Sequence, residues 1–153
     1  MQGTSTIVSN LIGASKTDLA YRFYWLIFRL ELLINTTILV LVIVFSKEIA
    51  DFFAKDDKEL YQILILSMPF AGVLMASEFG SIKGTFFALG EQRKFAPVYL
   101  GAQYIIALPL AIVLSKTYNY GAKGIYMAQA AGSLLLFLCS TILLQVISFE
   151  ECA

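Results

Sequence analysis

The chain has 153 residues, of which 59% are hydrophobic and 14% are charged, and its formal net charge is zero. Soluble domains carry about 25% charged residues, so this composition indicates an integral membrane protein. The absence of histidine, the two cysteines and the zero net charge exclude the usual zinc clusters and a basic nucleic-acid surface. The sequence also contains no motif resembling GxxxxGK[ST], GxSxG or HExxH, so we predict a membrane protein that is not an enzyme and that needs no cofactor, metal or nucleic acid.

Four apolar segments are each long enough to cross a hydrocarbon core of about 30 Å as a helix. They cover residues 23–45, 61–89, 95–115 and 125–149. An open strand cannot satisfy its backbone polar groups in lipid, so each segment is predicted to be helical. The predicted fold class is all-α, a polytopic membrane helical bundle with four transmembrane helices.

The polar segments outside these spans contain candidate helix caps. Residues 1–20 are too polar to span, and Thr17 or Asp18 is predicted to cap the first transmembrane helix. The acidic connection over residues 46–60 is predicted to be a solvated loop, in which Asp56 and Asp57 mark a break that is followed by a helix cap.

The first span carries two ionisable residues, Arg29 and Glu31, in its first third. Residues at i and i+2 do not face each other on a helix, so each needs another partner. Snorkelling combined with an ion pair to another helix is the favoured interpretation.

The second span contains Glu78 near its middle. If residues 61–90 form one continuous helix, Ser81 and Thr85 share the face of Glu78 at i+3 and i+7. A carboxylate inside a membrane is costly and usually faces a bundle interior or a water-filled cavity. Two interpretations remain open: a cation or proton site, or an ion pair with a basic residue such as Arg29.

The last two spans carry polar and small residues at helical spacing. Gln103 and Tyr104 are candidate cavity residues of second rank, and helix packing is the favoured alternative for both. Pro109 is predicted to bend the third span. Ala128 and Gly132 form a small-xxx-small pair that allows close approach of another helix.

Five sequence elements in order resemble those of the multidrug and toxic compound extrusion (MATE) family. They are VSNLIGAS at 8–15, FSKEIADFFAKDDKEL at 45–60, GTFFALGEQRK at 84–94, YLGAQYIIALPLAIVL at 99–114 and GAKGIYMAQAAG at 121–132. The resemblance covers nearly the whole chain but only the end of the family's second lobe, from the stub of helix eight to helix twelve. It implies that residues 1–153 form a partial C-terminal lobe, and we expect a fragment or a truncated gene product.

The resemblance implies a secondary active transporter that exports organic, often cationic, compounds in exchange for protons or sodium. The implied partners are small organic substrates, the coupling ions, the lipid membrane and the missing transmembrane helices. Glu78, Gln103 and Tyr104 would be the ion- and substrate-binding residues. An ungapped match places the family carboxylate of helix ten near Ala76, so Glu78 is a candidate for the same role rather than an equivalent.

The residues alone do not determine the orientation of the chain across the membrane or which membrane contains it. Basic residues are nearly balanced between the two sides, whereas the resemblance implies that the Asn10 and Arg93 ends are cytoplasmic. The plasma membrane and a vacuolar-type membrane are not distinguished. Two alternatives are a lipid-linked sugar flippase of the same superfamily and a non-transporting four-helix membrane subunit.

Overall fold

The computed structural model describes residues 2–54, 57–77 and 79–147, and within these ranges the regular structure is helical with no strand. The α-helices are α1 (Gln2–Gly13), α2 (Thr17–Val44), α3 (Ser46–Phe53), α4 (Lys58–Ala76), α5 (Gly80–Ala88), α6 (Gln92–Leu100), α7 (Leu108–Ile112) and α8 (Gly121–Val146). Two π-helical segments, Gly101–Ala107 and Val113–Thr117, lie on either side of α7.

Four segments are long and apolar enough to cross a membrane. They are Thr17–Val44, Lys58–Ala88, Gln92–Thr117 and Gly121–Val146. The predicted all-α bundle with four transmembrane helices is therefore confirmed, and the chain is an integral membrane protein.

The first span begins earlier than the sequence indicated. Thr17 and Asp18 lie in the first turn of α2, and the capping position is Lys16, whose side chain makes no capping hydrogen bond. The expectation that Thr17 or Asp18 caps this helix is therefore wrong. Because α2 extends from Thr17 to Val44, Glu31 lies at its middle rather than in its first third.

The second span consists of two helices instead of one. Helix α4 ends at Ala76, α5 begins at Gly80, and the intervening Phe79 has extended backbone angles (φ −98°, ψ 105°). The expectation of one continuous helix is wrong, because an extended residue interrupts the helical hydrogen bonds. Glu78 lies in this interruption by sequence but outside the residues that the structure describes.

The acidic connection between the first two spans is more ordered than a solvated loop. It contains the helix α3, Ser46–Phe53, whose Ala50 is buried. A helix cap is present at the predicted break, and it is Asp57 itself: its carboxylate accepts hydrogen bonds from the N–H groups of Glu59 and Leu60, both at 3.0 Å. These bonds satisfy two donors of the first turn of α4.

Small residues bring the third and fourth spans together. A Cβ atom at Gly132 would lie 2.6 Å from Ala107 Cβ and 3.1 Å from the Ala102 carbonyl oxygen. Ala128, one turn earlier on α8, is fully buried. The close approach predicted for Ala128 and Gly132 is therefore confirmed.

The third span is not a regular α-helix before Pro109. The preceding Gly101–Ala107 segment is π-helical, and Pro109 lies at the start of α7. The backbone stays helical across this junction (Ala107 φ −65°, ψ −41°; Leu108 φ −66°, ψ −49°), so Pro109 lies inside a continuous helical span, where its missing N–H removes a backbone hydrogen bond. Both π segments and proline are common causes of bends, and the bend at Pro109 stays a prediction.

Three stacked phenylalanine rings join the first, second and fourth spans. Phe79 lies 4.5 Å from Phe137 and 5.4 Å from Phe28, measured between ring centroids. The rings of Phe28 and Phe137 are 6.2 Å apart and nearly parallel, with an interplanar angle of 2°. Since Phe79 is the extended residue before α5, the stack positions the start of that helix between α2 and α8.

Candidate functional site at the interrupted second span

The start of α5 is held by a carboxylate from the first span. The Ser81 backbone N–H lies 3.0 Å from both Oε1 and Oε2 of Glu31. The Ser81 hydroxyl donates a third hydrogen bond to Glu31 Oε2 at 2.5 Å. Glu31 is half-buried at the middle of α2, so these bonds lie deep within the spanning region.

Among the described residues, no side chain of the α5 segment itself accepts a hydrogen bond at this end. Phe79 at its N-cap makes no side-chain capping hydrogen bond, and the first turn contains no acidic residue. The N–H groups of a first helical turn are unsatisfied and carry partial positive charge, which a carboxylate neutralises. Glu31 therefore performs from α2 the role that a local Asp or Ser performs in an ordinary helix.

Two buried hydroxyl groups and a small cavity lie close to the interruption. The hydroxyls of Thr85 and Ser140 are buried, and neither makes a hydrogen bond among the described residues. Ser140 and Lys83 line a cavity of about 10 Å³ that also touches Ser77. A cavity of this size is comparable to the space for about one water molecule.

The predicted site residues do not converge in one place. Gln103 donates a long hydrogen bond of 3.5 Å from Nε2 to the Ser133 hydroxyl on α8, whereas the neighbouring Tyr104 is 61% exposed. Adjacent residues on a helix point in different directions, so the two side chains serve different surroundings. The position of Glu78 lies outside the described residues, and its role stays a prediction.

Sequence reasoning missed the role of Glu31 as the cap of α5. The available signal was the carboxylate of Glu31, which lies deep in an apolar span. Arg29, two residues earlier on the same helix, cannot face it. That signal predicts a partner elsewhere in the fold but contains no information that selects Ser81.

Comparison with known proteins identifies the family. The family model named MatE matches residues 1–113 of the chain. The chain belongs to the MatE family. Protein DETOXIFICATION 26 of Arabidopsis thaliana is 29% identical over 132 residues, which cover 85% of this chain and 27% of that protein. Protein DETOXIFICATION 28 of the same plant is 30% identical over 136 residues, covering 88% of this chain and 28% of the relative.

The structural comparison gives the same family fold. The crystal structure of the eukaryotic MATE transporter AtDTX14 matches this MatE chain with a TM-score of 0.71 at 19% sequence identity. The match covers 97% of this chain and 34% of the transporter. The MatE chain thus spans little more than a quarter of the length of the two DETOXIFICATION proteins. The family resemblance seen in the sequence is confirmed.

Proposed function

We propose that this MatE chain contributes the C-terminal part of one lobe to a secondary active transporter. The transporter exports organic, often cationic, compounds in exchange for protons or sodium. The observation that carries the proposal is the fit of 97% of the chain onto one third of a transporter fold. The role is not enzymatic and uses no cofactor.

The interrupted second span supports a transport role. Half-helices that end inside the membrane are typical of transporter binding sites, because their termini present unpaired backbone groups to ions and substrates. Here the start of α5 is paired with Glu31, and the buried hydroxyl of Thr85 lies one turn further along α5. This concentration of polar groups at the interruption supports the proposed ion coupling.

Glu78 is proposed as the main ion-responsive group, and Gln103 and Tyr104 as second-rank residues of the substrate cavity. By sequence, Glu78 falls at the interruption between α4 and α5, and the nearest basic residue along the chain is Lys83 on α5. A carboxylate in surroundings of low dielectric binds either a proton or a cation, and this competition couples the two fluxes.

The exposed position of the Arg29 side chain supports the proposal that further transmembrane helices pack against this chain. Its side chain is exposed at the middle of α2, within the span Thr17–Val44. A charged group facing lipid at that depth costs about 2.5–3.5 kcal/mol or more. Contact with additional protein or with a water-filled cavity removes this penalty, so we propose that the missing helices cover the Arg29 face of α2.

Reconstitution in vesicles tests the proposal. The chain alone, with a pH or sodium gradient imposed, is expected to accumulate no fluorescent organic cation above empty vesicles. A chimera in which the chain replaces the matching third of AtDTX14 is expected to transport it. Intact AtDTX14 is the positive control. A chimera that folds but transports nothing would overturn the proposed function, and uptake by the isolated chain would overturn the need for further helices.

A further inference from the structure

The short helix α3 lies at the end of the bundle where the first span ends and the second begins. It starts at Ser46, with only Phe45 between it and the last residue of α2, and α4 starts at Lys58. Because α2 and α4 belong to two spans that cross the membrane, the helix that joins them lies at the boundary between lipid and water. With 8 residues, α3 is too short to cross and stays on that side.

The residues of α3 separate into a polar face and an apolar face. Lys47 and Asp51 share the polar face at i and i+4. Ile49, Phe52 and Phe53 share the apolar face at i, i+3 and i+4. An amphipathic helix at a boundary between lipid and water is stabilised when its apolar face enters the lipid and its polar face stays in water.

The two phenylalanines of the apolar face point away from the bundle. Helix α3 packs against α4, and Ala50 is its buried residue. In contrast, Phe52 is 81% exposed and Phe53 is 68% exposed, and their rings meet edge to face at 5.2 Å between centroids. A phenylalanine side chain buries about 150–250 Å² when it is covered, so two such rings in water would leave a large apolar surface uncovered.

The other connection at the same end of the bundle also exposes aromatic rings. Four consecutive spans alternate in direction, so the turn between the third and fourth spans lies on the same side of the membrane as α3. In that turn Tyr118 is 60% exposed and Tyr120 is 47% exposed, and the Lys123 ammonium lies 5.8 Å from the centroid of the Tyr120 ring. Aromatic and basic side chains are typical of the interface between lipid and water. Exposed rings on both connections therefore favour lipid as the phase that covers them.

We propose that α3 is an interfacial helix that inserts Phe52 and Phe53 into the adjoining lipid leaflet, with its charged residues in water. Interfacial helices bury their apolar face about 5–10 Å deep at the boundary of headgroups and acyl chains. The charged residues of α3 are Lys47, Glu48 and Asp51, one basic and two acidic, so attraction to anionic lipid does not supply the attachment. The inserted helix holds the end of α2 and the start of α4 at the level of the interface. This attachment goes beyond the proposed transport function and does not depend on it.

Tryptophan fluorescence locates each face of α3 relative to the lipid. Trp25→Phe removes the single native tryptophan, and Phe52→Trp then places the only reporter on the apolar face. The chain is reconstituted in phosphatidylcholine vesicles. Emission is quenched either by phosphatidylcholine with brominated acyl chains or by acrylamide added to the water on both sides. The expected result is strong quenching by the brominated lipid and weak quenching by acrylamide.

Lys47→Trp in the same background is the matched control, because Lys47 is exposed on the opposite face of the same helix. Its emission is expected to be quenched several-fold less by brominated lipid and several-fold more by acrylamide than that of Phe52→Trp. Equal quenching of the two reporters by each agent would overturn the proposal. A Phe52→Trp reporter protected from both agents would also overturn it, because the ring would then be covered by protein, either a second copy of the chain or another of its helices.

Two further measurements identify the source of the attachment. Phe53→Ser, added to the Phe52→Trp reporter, removes one inserted ring and is expected to reduce quenching by brominated lipid and to increase quenching by acrylamide. Circular dichroism verifies that the variant keeps its helical content. Replacing part of the phosphatidylcholine by phosphatidylglycerol is expected to leave the quenching of the Phe52→Trp reporter unchanged. Quenching that is unaffected by Phe53→Ser, or that requires the anionic lipid, would contradict attachment through the two rings.

Discussion

The Glu31 carboxylate of the first span caps the half-helix α5 through both the backbone N–H and the hydroxyl of Ser81, across 50 positions of sequence. This contact joins two spans that the sequence presents as independent apolar segments. It also explains how an interrupted helix is tolerated inside a membrane, where water is not present to satisfy the first-turn N–H groups.

Removing the Glu31 charge is expected to destabilise the bundle. Glu31→Gln leaves one neutral acceptor, and the loss of charge-assisted hydrogen bonds is expected to lower the free energy of unfolding by about 1–2 kcal/mol. Ser81→Ala removes only the hydroxyl bond, and interhelical bonds of this kind in membranes average about 0.6 kcal/mol. Thermal unfolding in dodecyl maltoside measures both.

A double-mutant cycle checks that these effects share one cause. Glu31→Gln combined with Ser81→Ala is expected to cost less than the sum of the single changes, by about 0.5–1 kcal/mol. Glu48→Gln, at an exposed position of α3, is the control and is expected to have little effect. Strictly additive single effects would contradict a direct interaction between Glu31 and Ser81.

The contact of α8 with the π-helical segment depends on the absence of a side chain at Gly132. Gly132→Ala places a methyl group 2.6 Å from Ala107 Cβ, and such overpacking is expected to cost about 1–3 kcal/mol. Gly101→Ala is the matched control, since nothing lies within 4 Å of the added Cβ and alanine favours helix by up to about 1 kcal/mol. Equal unfolding temperatures for the two variants would refute this packing account.

The Asp57 cap is expected to stabilise the first turn of α4. Asp57→Ala removes both capping bonds and is expected to cost about 1 kcal/mol, whereas Asp57→Asn retains an acceptor and is expected to stay close to the parent. Hydrogen exchange at the amides of Glu59 and Leu60 reports the effect locally. Asp51→Ala is the control on α3, and faster exchange at these two amides in that variant would argue against a specific cap.

Glu78→Gln tests the proposed ion-responsive group in the AtDTX14 chimera. The change keeps side-chain size and removes charge, so the chimera is expected to reach the membrane but to lose pH- or sodium-driven efflux. Glu59→Gln, near the start of α4, is the control for a peripheral charge. If Glu78 instead pairs with Arg29, Glu78→Gln will reduce expression and Arg29→Gln will restore it in the double variant. Unchanged coupled efflux in Glu78→Gln would remove Glu78 from the mechanism.

The sequence by itself determined the properties that depend on local composition. Four apolar runs predicted four membrane spans because crossing lipid requires only length and apolar character. Asp57 predicted a helix start because a capping bond joins residues two or three positions apart. The small-residue pair at Ala128 and Gly132 predicted close packing, because at i and i+4 the two residues lie on one helix face.

The tertiary structure alone decided which distant groups meet. The rotation and separation of the packed helices select Ser81 as the partner of Glu31 and place Gln103 and Tyr104 in different surroundings. The interruption before α5 also involves tertiary structure, because the N–H of Ser81 that follows it is satisfied by a carboxylate from α2. A one-dimensional pattern records neither helix rotation nor the distance between helices.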